Sequence, residues 1–265
     1  MLKRSVCLAA VCLLVARPEA LRAQGTVPAT APAPDTTSAR QPARGRAGWD
    51  DVGNGDRLFF LPTARNLRRG EGYVQDLELV FVSANYGITD HFSVGALASV
   101  IPGQGADNII ALTPKASWPV AEKVHLGAGA LLIATKSGAG AVTYANGTYG
   151  SADNNLTLGL GYGFTDNSGF ISTPVLVLGG AVRVARRVSL MSETYVLRDR
   201  SFLDLGTFLV VGGIAGVRVT GPRFSGGLGV LYAYGEIQSS DFLNGSGSLA
   251  YPFGEFTVRF GKIKR

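Results

Sequence analysis

The stretch Asn155–Phe164 constrains the fold of this chain more than any other. Its even positions carry only apolar or aromatic residues, and its odd positions only small or polar ones. Because side chains alternate across a β-strand with a period of two, one face of this strand is wholly apolar. About ten residues of such alternation is the length that a tilted strand needs to cross a bilayer. The pattern recurs along the chain and predicts an all-β fold, a transmembrane antiparallel up-and-down β-barrel of about 12 strands.

The composition supports a barrel over a helical membrane protein. The chain has 36 glycines, which weaken helices. No internal apolar run approaches the roughly 18 residues of a membrane-spanning helix. Backbone polar groups in lipid must all be paired, so a membrane protein of this composition has to be a closed barrel.

Residues 1–23 have the features of an export signal. Lys3 and Arg4 are basic, Ser5–Ala16 is apolar, and the small residue Ala23 is a suitable cleavage position. The apolar core is too short to span a membrane, so a retained anchor is the weaker alternative. A lipoprotein signal with Cys12 as the first mature residue is another weaker alternative.

Removal of this signal changes the chemistry of the chain. Both cysteines, Cys7 and Cys12, lie within it, so the mature chain has no disulfide, thiolate nucleophile or cysteine metal site. The signal also carries four positive residues and one negative residue, so its removal lowers the net charge from +6 to +3. Such a small excess does not indicate a nucleic-acid-binding protein.

Residues 24–55 are predicted to be a disordered periplasmic leader. Most of this segment is Pro, Ala, Thr and Arg with almost no large apolar residue, so it cannot bury enough surface to offset its conformational entropy. The barrel domain is then predicted to occupy residues 56–265.

Alternating segments and turns divide the barrel domain into individual strands. Pro114 lies within one of them and is interpreted as a bulge, because proline removes a ladder hydrogen bond. The predicted strands are Arg57–Leu61, Tyr73–Tyr86, Phe92–Ile101, Ile109–Trp118, Leu126–Thr135, Ala141–Tyr149, Asn155–Phe164, Pro174–Val184, Val188–Leu197, Phe208–Val219, Phe224–Tyr234 and Phe253–Ile263.

The lengths of the connections support the same topology. If both ends of the barrel domain lie in the periplasm, alternate connections should be short turns and the others longer extracellular loops. The short connections are 87–91, 120–124, 150–154, 185–187 and 220–223, and Glu236–Tyr251 is the longest loop. A soluble β-sandwich has no reason to sort its connections in this way.

Aromatic residues lie near the predicted strand ends, as in the aromatic girdles of membrane barrels. They are Phe92, Trp118, Phe164, Tyr232, Tyr234, Phe253, Phe256 and Phe260. The last strand has Phe256, Val258 and Phe260 on one face, and it resembles the C-terminal signal that the barrel assembly machinery recognises. It differs from that signal in that five residues follow Phe260.

Several short motifs resemble a family of uncharacterised outer-membrane β-barrel proteins of diderm (Gram-negative) bacteria. They are Gly70-Glu71-Gly72-Tyr73, Asn85-Tyr86-Gly87-Ile88-Thr89-Asp90 with the following Phe92-Ser93-Val94-Gly95, Asp153-Asn154-Asn155-Leu156 and Ser192-Glu193-Thr194-Tyr195. The resemblance extends over about residues 56–263. It implies a barrel fold and an outer-membrane location, and it transfers no catalytic residue.

The polar face of the strands provides the candidate site. If the apolar faces contact lipid, eight charged residues are predicted to line the lumen: Asp76, Glu78, Lys115, Arg183, Glu193, Arg218, Glu255 and Arg259. They form either a structural salt-bridge network, which we favour, or the selectivity lining of a small pore. Glycines at 159, 161, 163, 227 and 229 are predicted to leave open space in the lumen.

The sequence does not favour an enzyme. A lipid-modifying or proteolytic barrel needs a nucleophile with a base, or paired acids, at its outer rim. Both histidines, His91 and His125, fall at the predicted periplasmic ends. Acids in the outer loops, such as Asp166 and Asp241, are typical turn residues, and calcium binding by them is a weaker alternative. We therefore predict no catalytic residue, no cofactor and no metal site.

The function predicted from these features is a passive porin-like channel for small solutes, or a structural barrel, in the bacterial outer membrane. The alternative is an adhesion or interaction protein that acts through the 236–251 loop, and an outer-membrane lipid-modifying enzyme is a weaker one. The predicted partners are outer-membrane lipid, lipopolysaccharide and the assembly machinery. The sequence does not specify the solute or the oligomeric state.

Overall fold

Antiparallel strands close into a single β-barrel. The computed structural model describes residues 55–100, 109–136, 138–166, 169–171, 173–199, 207–238 and 244–261. The strands are β1 (Glu71–Leu77), β2 (Phe81–Gly87), β3 (Phe92–Ser99), β4 (Ile110–Leu112), β5 (Lys115–Ala121), β6 (Val124–Thr135), β7 (Gly138–Gly150), β8 (Asn154–Thr165), β9 (Gly169–Phe170), β10 (Val175–Ala185), β11 (Val188–Asp199), β12 (Thr207–Thr220), β13 (Phe224–Gln238) and β14 (Asn244–Gly261). The described residues include no helix long and apolar enough to span a membrane.

The 14 strands occupy 12 positions around the barrel. β4 and β5 both pair with β3 and β6, so together they fill one position, and β9 only extends the ladder of β8. Pairing of β14 with β1 and of β8 with β10 closes the ring. The predicted up-and-down barrel of about 12 strands is confirmed.

Pro114 interrupts a strand, as its chemistry requires. It lies between β4 and β5, where Thr113 still exchanges two backbone hydrogen bonds with Gly95 of β3. The carbonyl of Pro114 accepts a hydrogen bond of 3.0 Å from Ala130 of β6. The ladder therefore continues on both sides of the residue that has no N–H to donate.

The apolar faces of the strands point outward. In β8 the side chains of Leu156 and Leu158 are 55% and 61% exposed, whereas Thr157 between them is fully buried. In β14 Phe256, on the outer face, is 49% exposed while Thr257 is fully buried. A water-soluble barrel would have the opposite arrangement, so the outer surface has the polarity of a lipid-facing wall.

The predicted short turns lie together at one end of the barrel. Each separates a pair of adjacent strands by two to four residues, namely β2–β3, β5–β6, β7–β8, β10–β11 and β12–β13. The start of β1 at Glu71 pairs with Gly261 at the end of β14, at this same end. We call it the short-turn end, and the opposite end the loop end.

Two of the predicted strands near the start of the barrel domain are wrong. Arg57–Leu61 is not a strand of the barrel, and its pairing is limited to an isolated bridge between Arg57 and Pro62. Tyr73–Tyr86 is not one strand but the hairpin β1–β2, with Glu78 and Leu79 at the turn. The two errors compensate, which explains why the strand count is right.

The hairpin turn was missed because its residues are unusual for it. Glu78 and Leu79 have φ angles of 60° and 57°, and Val80 donates a backbone hydrogen bond of 3.1 Å to Leu77. Two consecutive positive φ angles are typical of a type I′ turn, which normally contains Asn or Gly. Neither residue type is present here.

The predicted long loop Glu236–Tyr251 is mostly strand. β13 continues to Gln238 and β14 begins at Asn244, with the two strands in register from Gln238↔Asn244 to Phe224↔Val258. Only residues 239–243 connect them, and these lie outside the described part of the chain. The predicted signal (1–23) and most of the leader (24–55) lie outside it as well.

Candidate functional site

The segment Gly55–Asn66, which we call the plug, lies inside the barrel at the short-turn end. Leu58, Phe59 and Leu61 are 0–4% exposed. The plug folds back on itself, because Leu58 donates a backbone hydrogen bond to Leu61 (2.8 Å) and Thr63 donates one to Asp56 (2.9 Å). It therefore places a tight apolar turn in the lumen, where the sequence predicts only charged lining residues.

Glu193 of β11 holds the tip of the plug. Its carboxylate accepts backbone hydrogen bonds from Phe59 (3.1 Å), Phe60 (3.0 Å) and Leu61 (2.9 Å). The hydroxyl of Tyr195 donates a further bond of 3.3 Å to the same carboxylate. Buried N–H groups in a turn need an acceptor, and a carboxylate is a strong one. Glu193 thus supplies the hydrogen-bond acceptors that these N–H groups would have in a neighbouring strand if the segment were part of a sheet.

Lys115 of β5 holds the opposite side of the plug. Its ammonium group donates to the carbonyls of Asp56 (2.9 Å) and Arg65 (2.7 Å), and it lies 3.8 Å from the Asp56 carboxylate. Lys115 is 5% exposed. A buried ammonium with three donors is well satisfied by carbonyls that converge in this way.

Arg218 of β12 and Glu255 of β14 form a buried ion pair beside the plug. Two nitrogens of the guanidinium contact the two carboxylate oxygens, at 2.5 and 2.9 Å. Arg218 also donates to the carbonyl of Leu58 (2.6 Å), and its guanidinium lies 5.6 Å from the centre of the Phe59 ring. Gln75 donates to Glu255 at 2.7 Å. The pair thus fixes the plug through both polar and aromatic contacts.

Other inward-facing side chains complete the contacts around the barrel. Asn146 of β7 donates to the carbonyl of Pro62, and Thr148 accepts a bond of 2.8 Å from the backbone of Ala64. Arg57 of the plug donates to Asn85 of β2 at 2.8 Å. Strands from all sides of the lumen thus bind one short segment.

Six of the eight predicted lining residues face the interior: Lys115, Arg183, Glu193, Arg218, Glu255 and Arg259, each at most 8% exposed. Three of them, Lys115, Glu193 and Arg218, contact the plug directly. Arg183 forms an ion pair of 2.7 Å with Asp153 in the β7–β8 turn. Arg218 and Glu255 form an ion pair with each other, whereas Lys115 and Glu193 contact the backbone of the plug.

The other two predicted lining residues, Asp76 and Glu78, do not line the lumen. Asp76 lies opposite the outward-facing Val82 and Phe256, while its neighbours Gln75 and Leu77 are fully buried. Glu78 lies in the hairpin turn and accepts a hydrogen bond from the backbone of Gly254. The prediction assigned the apolar Leu77 to lipid, whereas Leu77 packs inward against the plug cluster.

Phe253 was also assigned to the wrong side. It was predicted to lie in an aromatic girdle, but it is 2% exposed and its ring contacts that of Phe59 edge-on at 5.2 Å. Phe253 shares its face with Glu255 and Thr257, which point inward. The inner face of the barrel is therefore apolar at the level of the plug tip, whereas the sequence predicts a polar inner face.

Side chains occupy at least part of the space that the lumen glycines were predicted to leave open. A Cβ atom at Gly227 would lie 2.6 Å from the Glu255 carboxylate. The absence of a side chain at residue 227 therefore makes room for the Arg218–Glu255 pair rather than for a solute.

Sequence reasoning missed the plug, although one signal for it was available. Leu58-Phe59-Phe60-Leu61 is a continuous apolar run, and a strand between lipid and a polar lumen alternates instead. Such a run is typical of a segment that is buried on all sides.

Comparisons with known proteins identify no family. No family model matches the chain, and no curated protein matches it. The resemblance to a family of outer-membrane barrels thus remains a prediction.

Solved structures with a similar fold are outer-membrane porins and channels. The KdgM porin in complex with disordered oligogalacturonate is 9% identical, with a TM-score of 0.46 over 72% of this chain and 95% of that chain. The NanC porin is 9% identical, with a TM-score of 0.44 over 71% and 98%. The CymD monoaromatic hydrocarbon channel is 10% identical, with a TM-score of 0.32 over 75% and 90%. At these values the likeness carries no argument about function.

Proposed function

We propose that this chain is a bacterial outer-membrane β-barrel that acts as a channel for small solutes and is held closed by its own plug. The observation that carries the proposal is the set of contacts from Glu193, Lys115 and Arg218 to the plug backbone. A barrel with a purely structural role can fill its lumen with side chains alone. A segment that is not part of the barrel wall and is held by polar contacts can undock from the lumen.

The size of the barrel supports a channel beneath the plug. Barrels of eight strands have interiors that side chains fill, whereas those of sixteen or more leave an aqueous channel. Twelve positions lie between these limits. Removal of the plug should thus leave a narrow water-filled path.

The charges of the strands predict the selectivity of that path. The inward-facing predicted residues comprise four cations, Lys115, Arg183, Arg218 and Arg259, and two carboxylates, Glu193 and Glu255. Rings of cationic side chains favour anions. The open channel should therefore prefer small anions weakly, although the Arg183–Asp153 pair reduces the excess.

Two observations support the proposed outer-membrane location. The apolar rows of the strands face outward, and the short turns lie together at one end of the barrel. The proposed surroundings are outer-membrane lipid and lipopolysaccharide, and β14 is the proposed element for recognition by the assembly machinery. Its outer face carries Phe256, Val258 and Phe260, each 36–49% exposed.

Conductance in planar bilayers tests this function. The mature chain should be silent, and a variant that lacks residues 55–66 should show single-channel steps with a reversal potential that indicates anion preference. Equal steps in both proteins would refute closure by the plug. Silence in both, with a correctly folded barrel, would refute the channel and favour a structural barrel.

The second candidate is an adhesion or interaction protein, and one observation favours it. Residues 246–252 of β14 are exposed on both faces, so this part of the β13–β14 hairpin has surface available to a partner. Binding that is lost when residues 246–252 are replaced by a short turn, in a barrel that remains silent without its plug, would support this candidate.

A further inference from the structure

The lumen on the loop side of the plug has a different lining from the lumen around it. At this level the side chains that point into the lumen are apolar, and we call this region the cup. Its wall includes Leu131, Ile133, Val142, Val175, Leu197 and Leu231. Leu131 pairs with Val142 across β6 and β7, and Val175 pairs with Leu197 across β10 and β11.

The register shows that these side chains point inward. On β6, Leu131 and Ile133 have the same parity as Gly129, which lies opposite the inward-facing Lys115. The residue between them, Leu132, is 44% exposed on the outer face. On β10, Val175 shares its parity with Val177, which is 8% exposed and packs in the plug cluster.

Charge is segregated along the lumen. Lys115, Glu193 and Glu255 lie at the level of the plug, and Arg183, Arg218 and Arg259 lie two residues from the short-turn ends of their strands. None of the six wall residues named above is charged. A charged or strongly polar solute would therefore have few groups to form hydrogen bonds or ion pairs with at this level.

The floor and wall of the cup differ in burial. Leu77, Ile214 and Phe253 form the floor over the plug and are at most 2% exposed. The wall residues are only half-buried, which means that they border space rather than fill it. An apolar surface that faces the lumen and is only partly covered is typical of a ligand site.

One side of the cup has a low wall. The β1–β2 hairpin turns at Glu78–Leu79, opposite Gly254 of β14. Beyond this point, residues 244–253 of β14 pair only with β13 among the described strands. Ten residues of strand correspond to about 33 Å of length, so the wall is much lower at the hairpin than at β14.

We propose that the cup binds a small uncharged apolar molecule, such as a simple aromatic or alicyclic hydrocarbon. This inference goes beyond the proposed channel function, because it concerns a molecule that is bound in the cup above the plug and not the small anions that the open path should pass. Burial of such a molecule removes apolar surface of both ligand and wall from water. A sugar or an ion would lose its hydration without replacement. The hairpin is the side on which the described strands leave the cup least enclosed.

Equilibrium dialysis of radiolabelled p-xylene against the full mature barrel in lipid nanodiscs tests the proposal. Empty nanodiscs of the same lipid measure partition into the bilayer. We expect saturable uptake of about one molecule per barrel above this background. Leu131→Glu should weaken this uptake by about tenfold or more, because a carboxylate in the wall retains water at the site. Leu131→Met, of similar size and polarity, should retain it.

A second variant with smaller changes in shape separates loss of binding from loss of folding. Val142→Thr with Val175→Thr nearly preserves shape and places two hydroxyl groups in the wall, and it should weaken uptake in a barrel with unchanged heat-modifiable mobility. Uptake equal to that of empty nanodiscs would overturn the proposal. Equal uptake by wild type and both polar variants would overturn it too, since the probe would then bind elsewhere. Conductance of the plug-deleted variant is measured separately, so failure of the channel function remains distinguishable.

Discussion

Replacement of Glu193 by alanine should release the plug. The carboxylate accepts three backbone N–H groups at 2.9–3.1 Å, and methyl cannot replace any of these bonds. A hydrogen bond to a charged group contributes about 1.5–3 kcal/mol net. The three bonds share one acceptor and are not additive, so we take about 3 kcal/mol for the set. Since each 1.4 kcal/mol is about tenfold, the undocked population should rise about a hundredfold.

Hydrogen–deuterium exchange of the amides of Phe59, Phe60 and Leu61 measures this population. Exchange of a protected amide follows local opening, so protection should fall by a similar factor in Glu193→Ala. Glu193→Gln keeps an acceptor oxygen and should give an intermediate value. Ser192→Ala is the matched control, because Ser192 lies next to Glu193 on the outer face. Unchanged protection in Glu193→Ala would refute the role of this carboxylate.

Three further substitutions test the rest of the structure, each by urea unfolding of barrels folded into lipid vesicles. Leu158→Arg puts a charge on the lipid face and should cost about 2–4 kcal/mol, whereas Leu158→Phe should be nearly neutral, and equal stability of the two variants would argue against lipid contact. Arg218→Met leaves Glu255 buried without its main partner and should cost about 3–5 kcal/mol. The double variant with Glu255→Met should recover part of this loss, and a fully additive loss would mean that the pair is not coupled. Leu79→Gly should stabilise the barrel by roughly 0.5–1 kcal/mol, because Leu79 is 85% exposed with φ of 57°, and a loss of stability would contradict the assigned turn.

The barrel was predictable because its evidence is periodic and repeated. Strand β8 and residues 255–260 of β14 alternate cleanly, and turns such as the one between β7 and β8 are short, so face and register follow from the sequence alone there. Arg183, Arg218 and Arg259 each lie between two apolar residues that face outward. Where apolar and polar residues alternate strictly, the apolar residues identify the outer face, so a charged residue between them must face the lumen.

The plug and the β1–β2 hairpin were not predictable in the same way. Arg57–Leu61 is short and apolar, and sequence alone does not distinguish a strand from a segment buried inside a barrel. The turn at Glu78–Leu79 lacks Asn and Gly, so the alternation from Tyr73 onward was extended through it. Asp76 was placed on the wrong face for a different reason. Leu77 packs inward against the plug cluster, so the apolar residues of β1 do not mark its lipid-facing side.

The central claim is that the apolar rows of these strands contact lipid and enclose a filled lumen. A nitroxide scan along β8 from Asn154 to Thr165, on the mature chain in vesicles, tests it most directly through accessibility to oxygen. The account predicts oscillation with a period of two and maxima at Leu156, Leu158 and Leu160, the residues on the outer face. A flat profile, or maxima at Thr157 and Gly159, would contradict it.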